Sequence, residues 1–291
     1  MTNQIVAGVS VEGDSAQFVV LKSGELKTEL FFIEEYKRTD YDKSETWFLK
    51  PLTTHSSKLT EKCKVVSIAL DRKMVFTHTF PMDSMLTRDQ QNEHLNWELS
   101  QLLPNFHPQD YISDMHVLQV HPDKKTNYIL SVSVKRSLVY AIHDYIHTSS
   151  LNLNIIDATQ FAAEGALLYN YPEILTQECV LVGLSQTHTE FSHYSNGHLT
   201  DYNFRQEANL EFIARFLHVF IKDKNIKDIF IHGPNADIGT LKTLRTGTSL
   251  NVQILNPFKR ITHSLSVRNF DKFATSLQRF APAVGIALRK P

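Results

Sequence analysis

Two stretches of this chain open in the same way, and that duplication restricts the fold more than any other feature. Ile5 to Val11 and Ala16 to Leu21 are β-rich runs parted by the polar, glycine-containing turn Glu12-Gly13-Asp14-Ser15. Thr189 to Tyr194 and Leu199 to Phe204 flank Asn196-Gly197, a dipeptide that accepts the left-handed backbone of a tight hairpin. A third strand accompanies each hairpin: Glu29 to Glu34 in the first, and in the second the continuous apolar run Cys179 to Leu184, the pattern of a buried central strand. Helices and strands then alternate. A chain of 291 residues suits two lobes of roughly 100 to 200 residues each. The reading is residues 1–175 for the first lobe, with an extra subdomain over about 62–150, and 176–291 for the second.

The polar segment Tyr36 to Glu61 is expected to hold a helix over Asp42 to Leu52, and Val65 to Leu70 and Met74 to Phe80 are strands joined across Asp71-Arg72. In Thr87 to Leu103, Leu95, Leu99, Leu102 and Leu103 recur at helical spacing until Pro104 stops them. Strands Asp114 to Val120 and Tyr128 to Lys135 precede a helix over Ser137 to Ser149 with Leu138, Ile142 and Ile146 on one face. Strand Leu153 to Asp157 leads into helix Thr159 to Asn170, closed by Pro172. The second lobe continues with helix Glu207 to Lys222, strand Asp228 to His232, helix Asp237 to Thr246, strand Asn251 to Ile254 and a closing helix over Phe280 to Arg289.

Composition narrows the functions. A hydrophobic share of 42% against 21% charged is that of a globular chain, not a disordered or coiled-coil one. Lys plus Arg at 30 balance Asp plus Glu at 31, so no positive field exists to hold a nucleic-acid backbone, and nucleic acid is not an expected partner. Cys63 and Cys179 stand alone, without the spacing of a disulfide framework or thiolate zinc site, which suits a reducing cytoplasm. The opening alternates polar and apolar residues and lacks the charge and apolar core of a signal peptide. No window approaches 18 consecutive apolar residues, so no direct membrane span is expected and a membrane role would run through a partner.

Other chemistry is set aside on its spacing. Gly183-Leu184-Ser185-Gln186-Thr187 half matches the Gly-x-Ser-x-Gly nucleophile elbow, but Thr187 replaces the last glycine and a hairpin, not a helix, follows. His188, His193 and His198 recur every five residues along strands, which alternates their faces, so they are read as surface or cap histidines and no metal site is assigned. Phe18, Phe31, Phe32, Phe76, Phe80, Trp47 and Trp97 are expected to fill the core.

Several strings in order resemble the PilM family, the cytoplasmic actin-like proteins of type IV pilus assembly, and more distantly the cytoplasmic part of GspL from type II secretion. They are Gly8-Val9-Ser10-Val11-Glu12, Phe80-Pro81-Met82 leading to Trp97-Glu98 and Leu103-Pro104, and Ile156-Asp157 before a helix. Further on come Arg205, Gly233, Asn256-Pro257-Phe258 and the closing Ala283-Val284-Gly285-Ile286-Ala287-Leu288-Arg289, so the likeness spans nearly the whole chain. Each string is weak alone; their order and spacing carry the likeness.

The resemblance implies a two-lobed actin-like ATPase fold of the ribonuclease H-like class, an α/β architecture with mixed sheets. Such a fold holds ATP and magnesium between the lobes on two hairpin turns, with an Asp on each adjoining strand. Against that pattern Ser10 replaces the acid and Glu12 the glycine of the first loop, leaving Gly13, Asp14, Ser15 and Gln17 around a damaged turn. Like charges about 4 Å apart repel by roughly 4 kcal/mol at an effective dielectric near 20, enough to spoil a phosphate site beside Glu12. A one-residue slip that puts Gly13, Asp14 and Ser15 under a phosphate stays open. The second loop, Gly183 with Ser185, Thr187 and Thr189, also lacks its acid, and Gly233-Pro234 stands where the family has two glycines. The implied function is a non-catalytic scaffold without a cofactor, peripheral at the inner membrane, that holds the tail of a PilN-like or GspL/GspM-like membrane protein. That tail is placed between the region Val65 to Leu103 and the opening strands, and self-association stays open. The alternatives are an active ATPase or small-molecule kinase using Asp14 or Asp157, and an actin-like adaptor unrelated to pili.

Overall fold

The computed structural model describes residues 4–24, 27–54, 63–121, 125–248, 250–263, 267 and 269–289. Strand β1 (Gln4–Glu12) is buried from Val6 to Val11 without a polar face, as a central strand must be, and turns at Gly13 into antiparallel β2 (Ser15–Ser23), Val9 opposite Phe18. Strand β3 (Thr28–Lys37) continues the meander, while β4 (Val65–Leu70) and β8 (Asn152–Ala158) add in parallel on the other side. With β14 (Thr262–His263) outside β3, the first sheet has the order β14-β3-β2-β1-β4-β8.

The second sheet repeats the plan. Strand β9 (Glu178–Leu184) pairs with the hairpin of β10 (Thr189–Ser195) and β11 (His198–Arg205), and with parallel β12 (Asp228–His232), giving the order β11-β10-β9-β12-β13 with β13 (Asn251–Ile254) at the edge. Asn196 and Gly197 take φ of 50° and 76°, the left-handed pair a two-residue hairpin needs. Helices α5 (Leu210–Phe220) and α6 (Ile238–Thr246) start at Asn209 and Asp237, whose side chains accept from the first free N–H groups. A small third sheet, ordered β5-β7-β6, is built from β5 (Val75–Asp83), β6 (Tyr111–His121) and β7 (Thr126–Lys135). Helix α2 (Arg88–Leu102) covers one face of it, burying Leu95 and Leu99 against Phe80, Met82 and Ile129.

Two helices lie between the large sheets, α4 (Thr159–Asn170) and α7 (Ala281–Leu288), and small residues let them cross at backbone distance. A Cβ on Gly165 would stand 2.7 Å from the Gly285 carbonyl oxygen, and one on Gly285 or Gly8 would collide with the carbonyl of Ala162 or Ala283. Helix α7, expected at the end of the second lobe, packs on β1, β2 and β4 of the first sheet. Helix α3 (Arg136–Thr148) sends Leu138, Ile142 and Ile146 into the same core, so the inserted sheet itself ends at β7.

Some expectations need correction. The helix expected over Asp42 to Leu52 is a 3₁₀ turn, Trp47–Leu49, followed by the short α1 (Lys50–Thr54); Asp42 is buried and spent on Tyr36, Thr39 and Lys50 instead of opening a helix. The rest of that polar segment, residues 55–62, lies outside the described residues. Trp97 and Phe31, expected in the core, are 58% and 37% exposed; helix α2 turns Trp97 away from the small sheet it covers. His188 and His193 are buried, not surface residues: Glu178 Oε2 lies 3.1 Å from His193 Nε2, and Thr200 Oγ1 lies 2.8 Å from its Nδ1.

Candidate functional site

The tips of the two opening hairpins meet between the large sheets, and a carboxyl joins them. Glu12 ends β1, and its side chain bonds to that of Ser185 on the opposite tip. Withdrawal from water pushes Glu12 up to about 8, helped by the nearby carboxylates of Asp71 and Glu190; Ser185 and Arg279 pull in the other direction.

On the first tip, Gly13 takes φ of 57° to reverse the chain, and its N–H donates to Asp71 Oδ2 at 2.5 Å. The other Asp71 oxygen accepts the Lys73 N–H at 2.8 Å, so the carboxylate is consumed by backbone. Ser10 and Gln17 are cross-strand partners in β1 and β2, and the Ser10 hydroxyl donates to Gln17 Oε1 at 3.1 Å. The Gln17 amide in turn donates to Ser15 Oγ at 3.1 Å and Glu35 Oε1 at 3.3 Å, and Arg279 pairs with Glu35 at 2.6 Å. Asp14 is exposed, and its carbonyl accepts the Arg38 N–H at 2.8 Å.

On the second tip the Ser185 N–H donates to the His188 carbonyl at 3.1 Å, closing the turn, and the Ser185 carbonyl accepts from Asn235 at 2.8 Å. Thr187 is exposed, whereas Thr189 is buried and its hydroxyl donates to the Glu207 carbonyl at 2.8 Å. Gly183 lies under the amide of Gln160 from α4, and a Cβ there would collide with the Gln160 oxygen. Gly233 needs its φ of 100° and lies so close to β9 that a Cβ would stand 2.6 Å from the Leu184 carbonyl oxygen; its N–H is taken by the Gln278 carbonyl at 3.3 Å, and Pro234, half-buried, follows with no N–H.

The structure adds residues the sequence did not single out. Glu190 is buried one residue into β10 and accepts the Tyr202 hydroxyl at 2.6 Å; burial pushes it up to about 7. The Tyr202 hydroxyl also lies 3.4 Å from that of Thr77, tying β11 to the small sheet. Gln160 donates to the Leu181 carbonyl at 3.1 Å and Ser192 Oγ at 2.9 Å, and its oxygen lies 2.9 Å from His232 Nε2, a ring that burial drives down to about 3 and so keeps neutral. These positions look like ordinary strand and helix residues in one dimension; only alternation along β10, which turns Glu190 to the side opposite its neighbours, was a usable signal. Asp157, the other acid considered for chemistry, pairs with Arg289 and accepts the Ala158 N–H, away from the tips.

Beside this crevice a groove of about 420 Å³ separates β4 and β8 from the small sheet. Its floor is apolar, with Leu70, Val132 and Ile156, and its rim carries Asp114, Asp157 and Glu164 with Arg289. Burial pushes Glu164 up to about 7.

Two large mixed sheets, each opened by a hairpin and separated by α4 and α7, define the actin-like ATPase fold. The chain is similar to a protein of the PilM–PilN type IV pilus biogenesis complex, at 13% identity over 98% of this chain and 99% of that one, with a TM-score of 0.77. It is also similar to a Bacteroides thetaiotaomicron protein of actin-like ATPase fold and unknown function (16% identity, 88% of this chain and 92% of that one, TM-score 0.57). A further likeness is to the cytoplasmic domain of EpsL, an inner-membrane component of the type II secretion system of Vibrio cholerae (9% identity, 96% and 98%, TM-score 0.50). No protein-family model and no curated protein matches the sequence. No described helix is long and apolar enough to cross a membrane.

Proposed function

We propose that the protein is an actin-like scaffold of a pilus or secretion platform that holds the cytoplasmic tail of a membrane partner and does not turn over ATP. On this reading residues 1–175 and 176–291 act as the two lobes, and the protein lies at the cytoplasmic face of an inner membrane through that partner. The likeness to the PilM–PilN complex and to cytoplasmic EpsL supports the setting.

The observation that carries the inactive reading is the Glu12 carboxyl spanning the two tips to Ser185. A triphosphate at the tips would meet the Asp71 carboxylate, and the Gly13 N–H that would cradle it already serves that carboxylate. A magnesium ion needs ionised oxygens, whereas the pKa values of Glu12 and Glu190, about 8 and about 7, favour protonation near neutrality. The residues present therefore do not suit the nucleotide and its metal.

The 420 Å³ groove is where we place the tail: an apolar floor with the exposed Asp114 on its rim fits an extended apolar segment carrying a cation, and β8, an edge strand, offers main-chain pairing. Calorimetric titration with Mg-ATP, run beside a melting assay, tests the inactive part. No heat of turnover is expected, and continuous heat from hydrolysis of the added ATP would refute it.

A further inference from the structure

On the other face of the small sheet lies a second cavity, of about 660 Å³, formed by the 3₁₀ segment at Trp47, the turn after β4, the end of β7 and the second hairpin tip. It is distinct from the groove assigned above. Five cations line it, Arg38, Lys43, Arg72, Lys73 and Lys135, against one acid, Glu45. In a chain whose charges sum to −1, that is a strong local excess.

The two arginines are fixed. Arg38 donates to the Asp42 carbonyl at 3.0 Å and lies over the Trp47 ring at 5.7 Å; Arg72 donates to the Val75 carbonyl at 2.6 Å and lies 4.2 Å over Phe204. Neither forms a close ion pair among the described residues, although Arg72 lies near enough to the buried Glu190 to lower its pKa. The three lysines are exposed and enter no ion pair among those residues, and Asp71, the buried acid before Arg72 in the chain, spends both oxygens on backbone N–H groups. Ser44, Thr187, His188 and Gln206 add hydrogen-bonding groups to the lining.

Cations left unpaired around one concavity repel each other, and a bound anion removes that cost. Five charges converge from three segments on a volume within the small-ligand range, so the complementary ligand is compact and multiply charged. We infer that this cavity binds a small molecule carrying two or more linked phosphates. The inference does not depend on whether the crevice between the tips holds nucleotide.

The test is calorimetric titration of inorganic tripolyphosphate, without metal, into the full chain. Saturable one-site binding is expected, weakening steeply with added salt and about fivefold for each of Lys43→Gln, Lys73→Gln and Lys135→Gln, so by roughly a hundredfold in the triple variant. Lys242→Gln, an exposed residue of α6 remote from the cavity lining, leaves binding unchanged, and an unaltered melting curve for the triple variant ties its loss to the charges. Absence of saturable binding overturns the inference, as does undiminished binding by the triple variant or tighter binding of a pentaglutamate peptide than of tripolyphosphate.

Discussion

Replacing Glu12 by Gln removes the ionisable group at the seam while keeping its shape, and its effect follows from the direction of the shift. Glu12 sits at about 8 in the folded chain against 4.5 when free, so between those values the folded state holds a proton that the unfolded state releases. Stability is then highest at the acid end of that window, falls as pH rises through it, and levels off above about 8. The full span corresponds to about 5 kcal/mol at 1.36 kcal/mol per unit, of which about 2 kcal/mol lies above pH 6.5. Glu190, about 7 in the folded chain, adds a smaller loss in the same direction.

His188, His193 and His232 act with the opposite sign: burial lowers all three, so folding stability drops as pH falls below about 6.5 and they begin to charge in the unfolded chain. From pH 6.5 to 8.5 the protein is therefore expected to lose about 3 kcal/mol, about 2 kcal/mol of it from Glu12 and about 0.7 kcal/mol each from Glu190 and Glu164, a fall in Tm of about 5 °C for a chain of this size. Glu12→Gln should match wild type within about 1 kcal/mol at and below about pH 4.5, where the carboxyl is neutral in both states, exceed it by about 3 kcal/mol at pH 6.5, and flatten most of the alkaline decline. Thermal melts at half-unit pH steps measure both. A variant that declines as steeply as wild type would mean that Glu12 is not the acid whose pKa is raised at the seam.

Three further outcomes follow from the packing. Gly285→Ala should cost at least about 3 kcal/mol by denaturant unfolding, because the added Cβ meets the Ala162 carbonyl, which is backbone and cannot rotate away. Gln160→Leu should cost about 2–3 kcal/mol, since Ser192 and His232 lose a buried partner while the bulk is kept. Ile112→Asp, at a 38% exposed position on the groove, should leave the melting curve within about 1 kcal/mol of wild type and, if the groove holds the tail proposed above, abolish pull-down of an extended apolar, lysine-bearing peptide.

Most of the framework was legible because it rests on local patterns. Asn196-Gly197 demanded a hairpin, Pro104 and Pro172 ended helices, and the run Cys179 to Leu184 lies at the centre of its sheet. The region around Asp42 failed because an acid that starts many helices is captured here by Tyr36, Thr39 and Lys50, leaving the 3₁₀ turn uncapped. Trp97 misled because helical spacing gives the buried stripe of α2 but not where an aromatic beside that stripe points. At the tips, Glu12 was legible as a misfit, whereas its environment was not: Asp71, Glu190 and Arg279 come from segments 59 to 267 residues away (71 − 12 and 279 − 12), and no one-dimensional pattern links them.

The same geometry explains how an actin-like chain can carry such tips without losing its fold. What positions the sheets is the contact of Gly165 with Gly285, the close approach of Gly8 to Ala283, and the reach of Gln160 into β9 and β10. None of these involves Glu12, Gly13, Asp14 or Thr187. In a phosphate-binding tip, free N–H groups and a metal-bound acid have to be kept unpaired until ligand arrives, at a cost to the empty protein. Here the Gly13 N–H is satisfied by Asp71, Ser10 by Gln17, and the Ser185 turn by His188, while the one carboxyl between the tips is held in its neutral form. Satisfying those groups internally stabilises each tip by itself, and only the Glu12 to Ser185 bond runs from one tip to the other.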